Sequence, residues 1–277
     1  MDPRIDLHTH SSHSDGLLAP AALVDLAAQR QVQLLALTDH DTTSGCDEAQ
    51  GACDRHGIRF VPGVELTSLW RDREIHVIGL GIARDHAPFI AHCAGVLELR
   101  RERIRAMGQR LTAAGLPGAE LAAEALSAPA PTRAHLARAL CSRGLVATVQ
   151  AAFDRWLKRG RPGYVAAQWP DLAGAVQCIS AAAGLAVLAH PHRYQVSNGV
   201  LRTLVEQFKA AGGVGLEVSL AGMGPGDADR AATLARRFEL AGSIGSDFHE
   251  PGLPWRPLGR FAKLPDRIMP ITARLGV

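Results

Sequence analysis

The chain has 277 residues, which is enough for one large α/β barrel of ~250 residues and argues against two full independent domains. Hydrophobic residues make up 47% and charged residues 21% of the sequence, so a largely disordered chain is excluded. No window approaches ~18 uninterrupted apolar residues, which excludes a transmembrane helix. The net charge of +3 is too small to predict a nucleic-acid coat by itself.

The five cysteines are odd in number and contain no C-x-x-C pair, so neither a disulfide framework nor a zinc ribbon is indicated. The N-terminal residues lack the basic and then apolar run of a signal peptide. We therefore expect a cytoplasmic protein with no membrane association and no obligate protein partner. Histidine is unusually frequent, with twelve residues against two tyrosines.

Seven short apolar runs predict β-strands, and most are apolar at nearly every position, as in strands buried on both faces of a parallel sheet. They span residues 5–10, 33–38, 59–66, 74–81, 185–190, 214–219 and 243–246. Helical patterns follow several of them, at residues 20–30, 199–211 and 227–240. This alternation predicts an α/β fold, either a barrel of βα repeats or a doubly wound sheet.

The interval between the fourth and fifth predicted strands, residues 82–184, has no convincing strand pattern and is interpreted as helical. Helices are predicted at residues 88–114, 119–126, 132–143 and 148–158. We expect residues 100–167 to form a helical insertion over one end of a barrel made from residues 1–99 and 168–277. The basic run Arg100, Arg101, Arg103 and Arg105 is interpreted as the solvated face of a helix.

The first predicted strand carries His8 and His10, whose alternation places both imidazoles on one face, where they can chelate one metal ion. Further potential ligands recur at the ends of other strands. In a parallel barrel these carboxyl ends converge on one face, which is the catalytic face of that architecture. The strand-end groups are Asp39, His40, Glu65, His190, Asp247 and His249.

His76 differs because it begins its predicted strand instead of ending it. The link from Leu66 to Arg73 is too short for a usual parallel crossover of about a dozen residues, so an antiparallel hairpin is expected. A returning strand begins where its predecessor ended, which brings His76 to the face of Glu65. Asp15, in the loop after the first strand, is expected over the same face.

Together these positions make a set of nine potential ligands, with six imidazoles and three carboxylates. They are His8, His10, Asp15, His40, Glu65, His76, His190, Asp247 and His249. This donor set suits Mn, Fe or Zn better than Ca or Mg. Nine ligands are more than one ion needs, and three per ion would hold three ions with positions left open for water or substrate. Two or three divalent ions outweigh three carboxylates, so the site should attract an anion, above all a phosphate.

The motifs around these residues, in their order along the chain, resemble those of the polymerase and histidinol phosphatase (PHP) family. The matching segments read HTH at 8–10, TDH at 38–40, GVE at 63–65, His76, HP at 190–191 and GSDFH at 245–249. The resemblance implies a distorted (β/α)7 barrel with a helical insertion and a trinuclear metal centre that hydrolyses phosphate esters. Two to three divalent ions are expected, with Mn2+ as the expected metal and Fe, Zn or Mg as alternatives.

The resemblance also implies how the ligands divide among the ions. His8, His10, Glu65 and Asp247 would hold one ion, Glu65 with His76 and His190 a second, and Asp15, His40 and His249 a third. Many family members have histidine where this chain has Asp15. A metal-bridging water, as hydroxide, is expected to attack phosphorus in line, with Asp15, His40 and His249 also at the catalytic centre. Asp39 is interpreted as a residue that orients an imidazole.

Three residues are candidates for binding a second phosphate of the substrate. Arg133 and His135 open a predicted helix, where backbone and cationic donors suit a phosphate. Arg193 follows the His190-Pro191 motif closely and is expected at the mouth of the site. These segments resemble the stand-alone bacterial PHP proteins that convert 3′,5′-nucleotide bisphosphates such as pAp to AMP and phosphate. That subgroup also degrades short 5′-monophosphorylated RNA in the 5′ to 3′ direction, so a small nucleotide and short RNA are the expected partners.

Other functions are compatible with parts of this pattern. A histidinol-phosphate phosphatase, or another small-molecule phosphatase, would use the same metal site with different residues around its entrance. An amidohydrolase barrel also begins with H-x-H, but its usual bridging group is a carboxylated lysine at a strand end. None of the three lysines lies at such a position, and Glu65 takes that role. A non-catalytic regulator that binds metal or nucleotide would be expected to have lost ligands, whereas all nine positions are filled.

Overall fold

A computed structural model describes residues 4–276 and contains seven strands in a single sheet. The order of the strands in the sheet is their order along the chain. The strands are β1 (Arg4–Asp6), β2 (Val32–Leu37), β3 (Arg59–Trp70), β4 (Arg73–Leu80), β5 (Leu185–Leu188), β6 (Gly215–Leu220) and β7 (Ala241–Gly245). All seven predicted strands are therefore present. The bounds differ mainly in β1 and β5, which end before their histidines, and in β3, which continues four residues past its predicted end at Leu66.

Helices connect most of the strands, and the predicted helices, one of which ends in a π-helical turn, lie within three residues of their expected bounds. Three further helices, Cys46–His56, Leu172–Ala181 and Thr272–Leu275, were not predicted. The helices are α1 (Pro20–Gln29), α2 (Cys46–His56), α3 (Ala87–Ala113), α4 (Gly118–Leu126), α5 (Arg133–Ser142), α6 (Val149–Ala152), α7 (Leu172–Ala181), α8 (Asn198–Ala210), α9 (Pro225–Arg237) and α10 (Thr272–Leu275). A π-helical turn, Phe153–Leu157, continues α6, and a 3-10 turn, Pro191–Tyr194, follows β5. No helix within residues 4–276 is long and apolar enough to cross a membrane.

The strand β4 is the exception in an otherwise parallel sheet. It pairs antiparallel with β3 on one side and β5 on the other, whereas the remaining neighbours pair in parallel. The predicted hairpin between the third and fourth strands is thereby confirmed. Thr67 of β3 is the register partner of His76 in β4, so the start of β4 lies beside the end of β3.

The barrel closes between the residues that follow β1 and those that end and follow β7. His10 N donates to Phe248 O at 2.9 Å, and Asp247 N donates to His8 O at 2.8 Å. Gly245 lies in this seam, and a Cβ atom there would lie 2.6 Å from the Cβ of His8. Because real Cβ contacts are not this close, the seam requires glycine at this position, and it brings the first and last ligand segments together.

Two kinds of hydrophobic cluster stabilise the molecule. Inside the barrel, Leu34, Ile78 and Val187 belong to one fully buried cluster, as expected for strands covered on both faces. Away from the barrel, Met107 of α3 and Leu136 of α5 belong to a separate cluster that α4 and the π-helical turn complete. The second half of α3 thus shares a core with α4, α5 and the π-helical turn, whereas α7 packs with the barrel strands.

The predicted division into barrel and insertion stays a prediction. Residue 100, its first boundary, falls inside the continuous helix α3. The predicted barrel ranges also include residues 1–3 and 277, which lie outside the described residues.

Candidate metal centre

The structure brings all nine predicted ligands together at the carboxyl ends of the barrel strands. Neighbouring imidazole rings have centroid separations of 4.2 to 6.4 Å. His8, His10 and Glu65 are almost fully buried. Two further ligands, His190 and Asp247, have left-handed backbone with φ of 28° and 51°. Such backbone is costly for these residue types and is concentrated at functional sites.

Atoms of two histidines and two carboxylates lie close together at one point of the cluster. Nε2 of His8 and Nε2 of His10 are 3.1 Å apart. Oε2 of Glu65 lies 3.4 and 3.3 Å from these nitrogens, and Oδ1 of Asp247 lies 3.3 and 3.2 Å from them. Metal bonds of ~2.0–2.2 Å require corner spacings of roughly 3.3–3.6 Å in a tetrahedron, so the observed spacings suit one ion.

Glu65 occupies a bridging position because its two carboxylate oxygens face different partners. Oε1 lies 3.0 Å from both Nδ1 of His76 and Nε2 of His190. Oε2 faces His8, His10 and His40 at 3.2 to 3.4 Å. The ligand atoms of His40, Glu65 and His76 lie within 4.8 Å of one another. A second ion can therefore be held beside the first, with Glu65 shared between them.

A third group gathers around Asp15, in the loop after β1. Its Oδ1 lies 3.2 Å from Nε2 of His249 and 3.7 Å from Nε2 of His40. The ligand atoms of these three residues and of His10 lie within 4.8 Å of one another. His10, His40 and Glu65 each belong to two of the three groups. Neighbouring groups therefore share ligands instead of being separate.

Unpaired polar atoms in the cluster test whether a cation fits it. Oδ1 of Asp15, Nδ1 of His40 and Nδ1 of His190 are buried and have no hydrogen-bond partner among residues 4–276. Buried polar groups are almost always paired, and a lone pair without a donor can be satisfied by a metal ion or an ordered water. Together with the imidazole and carboxylate composition, these atoms fit divalent transition-metal ions.

The electrostatics favour positive charge at two imidazoles of the cluster, His10 and His76, whereas burial lowers the pKa of His40 and His190. Burial alone would raise the pKa of Glu65, but His76, His8 and His40 hold that pKa well below its usual range. Burial would lower the pKa of His10, but its hydrogen bonds to Asp247 and Glu65 raise it to about 9. Burial would also lower the pKa of His76, but the carboxylate of Glu65 raises it to about 10. The carboxylates thus stabilise cations, whether bound protons or metal ions.

Buried acceptors behind the ligands orient their rings, and one of them, Glu217 of β6, escaped the sequence analysis. Its Oε1 lies 2.9 Å from Nδ1 of His8, and its Oε2 accepts the backbone N–H of His190 at 2.6 Å. Asp39 acts through Ser14, whose hydroxyl donates to Asp39 at 2.6 Å and lies 3.4 Å from Nδ1 of His10. Asp39 therefore contacts the imidazole through a serine, and it lies outside the three ligand groups.

The interpretation of the basic run in α3 as a solvated face is wrong for two of its residues. Arg100 is buried, and its guanidinium donates to Asp41 at 2.6 to 2.7 Å and to Thr67 at 2.6 Å. Arg103 is also buried and donates to Glu74 at 3.0 Å. Both lie in phase with the buried apolar residues of α3, and this spacing was the signal that could have identified them.

Arg133 and Arg193 both lie beside the cluster, and their predicted contact with substrate stays a prediction. Arg133 donates to Glu74 at 3.2 Å, and Arg193 donates to Asp247. Another arginine, Arg256, was not identified from the sequence. It lies 3.2 Å from Oδ2 of Asp247, the atom that Arg193 also contacts. Arg256 lies in the irregular segment after β7, where no periodicity indicates which side chains turn inward.

His135 is placed differently from its two predicted partners. Its Nδ1 accepts the backbone N–H of Thr132 at 3.0 Å as part of a capping box at the start of α5. Thr132 in turn donates through Oγ1 to Asp15 at 3.1 Å. His135 is thus tied to the cluster through the helix start, and its predicted contact with substrate stays a prediction.

Two adjoining cavities open over the cluster and share Glu74, Arg103 and Arg133 in their walls. The inner cavity, about 170 Å³, is also lined by Asp15, His40 and His76. The outer cavity, about 580 Å³, continues past Arg193 and Tyr194. Its volume lies in the range of small-molecule sites, ~300–1,000 Å³. An anionic ligand in the outer cavity could therefore reach both arginines and the cluster.

The chain is similar to known proteins over nearly its full length. The family model for the PHP domain matches residues 6–219. The 3′,5′-nucleoside bisphosphate phosphatase of Chromobacterium violaceum is 42% identical over 273 residues, 98% of this chain and 96% of that protein. The 5′-3′ exoribonuclease of Haemophilus influenzae is 40% identical over 271 residues, 98% of both chains. A solved structure of an amidohydrolase from Chromobacterium violaceum, with bound SO4 and no metal, is 41% identical with a TM-score of 0.93, covering 99% of this chain and 96% of that one.

Proposed function

This chain belongs to the PHP family, and we propose from that membership that it is a metal-dependent phosphoesterase acting on 3′,5′-nucleotide bisphosphates. It would remove the 3′-phosphate, converting pAp to AMP and phosphate, and would also release nucleotides from the 5′ end of short 5′-monophosphorylated RNA. The single observation that carries this proposal is the convergence of nine candidate ligands beside a cavity lined by arginines. Similarity to a phosphatase and an exoribonuclease of these names supports both substrates.

The proposed cofactor is two to three divalent ions, with Mn2+ as the metal. His8, His10, Glu65 and Asp247 would hold one ion, Glu65 with His76 and His190 a second, and Asp15, His40 and His249 a third. Such ions, when bound, polarise phosphoryl oxygens and lower the pKa of a water nucleophile. The mixed imidazole and carboxylate donors and the unpaired Oδ1 of Asp15 support this assignment.

Both substrates require cleavage of the same bond. The oxygen of water adds to phosphorus, the bond from phosphorus to O3′ breaks, and O3′ takes up a proton. From pAp the products are AMP and phosphate. From RNA they are a 5′-nucleotide and a strand that keeps a 5′-phosphate, so each shortened strand is again a substrate.

The second phosphate distinguishes these substrates from generic esters, and Arg133 and Arg193 are proposed to bind it. Both line the outer cavity, and each is held by a carboxylate, Glu74 or Asp247. These contacts restrict the guanidinium groups before substrate arrives, which reduces the entropy lost on binding. Arg103 and Trp169 also donate to Glu74, and this offsets its repulsion of a phosphate.

The experiment that tests the proposal is phosphate release from pAp, histidinol phosphate and p-nitrophenyl phosphate, with Mn2+ and after chelation. We expect release to require metal and kcat/KM to be highest for pAp. No release from any ester with metal present would contradict the enzyme assignment. Higher kcat/KM for histidinol phosphate than for pAp would contradict the substrate assignment.

A pair of variants tests the second-phosphate contact separately. Arg133→Ala should raise KM for pAp by about tenfold or more, because a charge-assisted contact is lost. Arg202→Ala, an exposed arginine of α8, is the matched control and should leave KM for pAp within twofold. If both variants behave like the unaltered protein, Arg133 does not bind the second phosphate.

A further inference from the structure

Two strongly exposed apolar residues belong to segments that connect to His249, on the rim of the metal centre. Only five large hydrophobic side chains are strongly exposed in the part of the chain that the structure describes. Leu17, 50% exposed, donates its backbone N–H to His249 O at 2.8 Å. Trp255, 58% exposed, lies in the segment that follows His249. Exposed apolar residues in segments that connect to a site are candidates for a binding surface.

The segment that carries Trp255 is held at both ends. A Cβ atom on Gly222 would lie 3.0 Å from the carbonyl oxygen of Trp255, so the two backbones are in close contact. Gly259 N, four residues later, donates to Oδ2 of Asp6 at 2.8 Å. Pro254 and Pro257 restrict the backbone between these contacts. Trp255 is therefore presented by a constrained segment.

Arg256 connects this segment to the metal centre. Its Nη1 lies 3.2 Å from Oδ2 of Asp247, and its side chain is only 28% exposed. Arg193 contacts the same oxygen but lines the outer cavity, whereas Arg256 lines a different surface depression that includes Glu250 and Leu258. The carboxylate of Asp247 is thus approached by arginines from two elements that face different spaces.

A phosphodiester requires space on both sides of its phosphorus, whereas the 3′-phosphate of pAp requires space on one side only. The outer cavity, with Arg133 and Arg193, accounts for the nucleotide that carries the 5′-phosphate. The nucleotide beyond the scissile linkage then needs a second surface next to Asp247. An exposed aromatic ring beside an arginine is the combination that single-stranded nucleic acids bind, through base stacking and charge.

We propose that Leu17, Trp255 and Arg256 bind the nucleotide on the 3′ side of the scissile phosphodiester of RNA. Its base stacks on the indole of Trp255, and its backbone lies against Arg256. This inference rests on the proposed function and explains how one centre serves both pAp and a longer strand. The segment after β7 would then contribute to the binding of RNA but not to the binding of pAp.

The test compares kcat/KM for pAp and for 5′-phosphorylated tetraadenylate, with Mn2+, in three variants. Trp255→Ala should lower kcat/KM for the tetranucleotide by about tenfold, within the range that base stacking gives, and for pAp by less than twofold. Trp255→Phe should recover most of the lost tetranucleotide activity, because a ring is kept. Met269 is another exposed apolar residue. Met269→Ala is the control and should change kcat/KM for neither substrate.

Tryptophan fluorescence gives a readout that does not depend on turnover. Trp70 and Trp169 are buried, and Trp255 is the most exposed tryptophan of the described chain. Tetraadenylate added in the presence of EDTA should quench the emission, and Trp255→Phe should abolish that quenching.

The outcomes separate the two proposals. Equal losses for pAp and tetraadenylate in Trp255→Ala, or equal quenching in Trp255→Phe, would overturn the stacking inference and leave the phosphatase proposal standing. No hydrolysis of pAp by the unaltered protein would overturn the proposed function itself.

Discussion

The carboxylate of Glu217 lies 2.9 Å from Nδ1 of His8, and both side chains are fully buried. Because the carboxylate accepts a hydrogen bond there, Nδ1 carries the proton and Nε2 is directed toward His10, Glu65 and Asp247. Burial alone would lower the pKa of His8, but Glu217 together with Glu65 and Asp247 raises it well above its usual range. One residue of β6 thus sets which nitrogen of His8 is available to an ion.

The substitution Glu217→Gln tests this role. The amide keeps the size of the side chain, but it is a weaker acceptor for His8, and its NH2 group would face the backbone N–H of His190. We expect the affinity for Mn2+ to fall by ~10–100-fold, as for other partners that orient metal ligands. Isothermal titration with Mn2+ measures this, with Glu206→Gln on the exposed side of α8 as the control. An unchanged affinity in Glu217→Gln would show that the orientation of His8 does not depend on Glu217.

A second prediction concerns the buried ion pair between Arg100 and Asp41. Arg100→Met should lower the free energy of unfolding by ~3–5 kcal/mol, because it leaves the carboxylate of Asp41 buried without its cation. Urea denaturation in the presence of EDTA measures this. Arg101→Met, its partly exposed neighbour, should change the free energy by less than ~1 kcal/mol.

A double variant separates loss of charge pairing from loss of packing at this ion pair. Asp41→Asn removes the unpaired charge, and asparagine tolerates the positive φ of 52° found at this position. Adding it to Arg100→Met should therefore recover part of the lost stability. If the double variant is less stable than Arg100→Met alone, the ion pair is not the cause.

The barrel seam leads to a third prediction, for Gly245→Ala. The added Cβ would lie 2.6 Å from the Cβ of His8 and 3.0 Å from its backbone nitrogen, so β7 and the residues after β1 must separate. We expect lower stability and weaker Mn2+ binding together, because His8 and Asp247 lie on opposite sides of this seam. Thermal denaturation with and without Mn2+ measures both effects. Gly226→Ala is the control, since a Cβ there meets no atom within 4 Å.

Metal binding should also depend on pH, with a definite sign. The pKa values of His10 and His76 are raised to about 9 and about 10, so both imidazoles carry protons at neutral pH in the absence of metal. An ion needs neutral imidazole and must displace these protons. The affinity for Mn2+ should therefore rise as the pH increases from 6 toward 9. Calorimetry in buffers of different ionisation enthalpy should show proton release at pH 7, and binding without proton release would contradict this explanation.

The sequence predicted the strands and the convergence of the ligands because each signal was local. The alternation in His8-Thr9-His10 and the short link before His76 both follow from strand geometry over a few residues. Glu217 was missed because its strand appeared to be an ordinary apolar segment, although an acidic residue inside a fully buried strand was a signal of an internal cation. The helix α2 was missed because its buried face consists of alanine and cysteine, which give a weak apolar period.

The misinterpretation of Arg100 and Arg103 has a different cause. Both residues share a face of α3 with Phe89, Val96 and Met107, so the helical periodicity indicated that both are buried. Their charge was taken as evidence of exposure, although arginine can be buried when a carboxylate pairs with it. The partners, Asp41 and Glu74, lie far away in the sequence, and no local pattern connects them with α3.

The closure of the barrel by its first and last strands has a consequence for protein synthesis. Residues 4–10 leave the ribosome before their seam partners in and after β7, which are made more than two hundred residues later. Until then β1 remains an open edge, and the ligand set lacks Asp247 and His249. Incomplete copies that end before β7 should therefore be unable to cleave nucleotides or RNA, so the degradative activity arises only when translation has passed the last ligand.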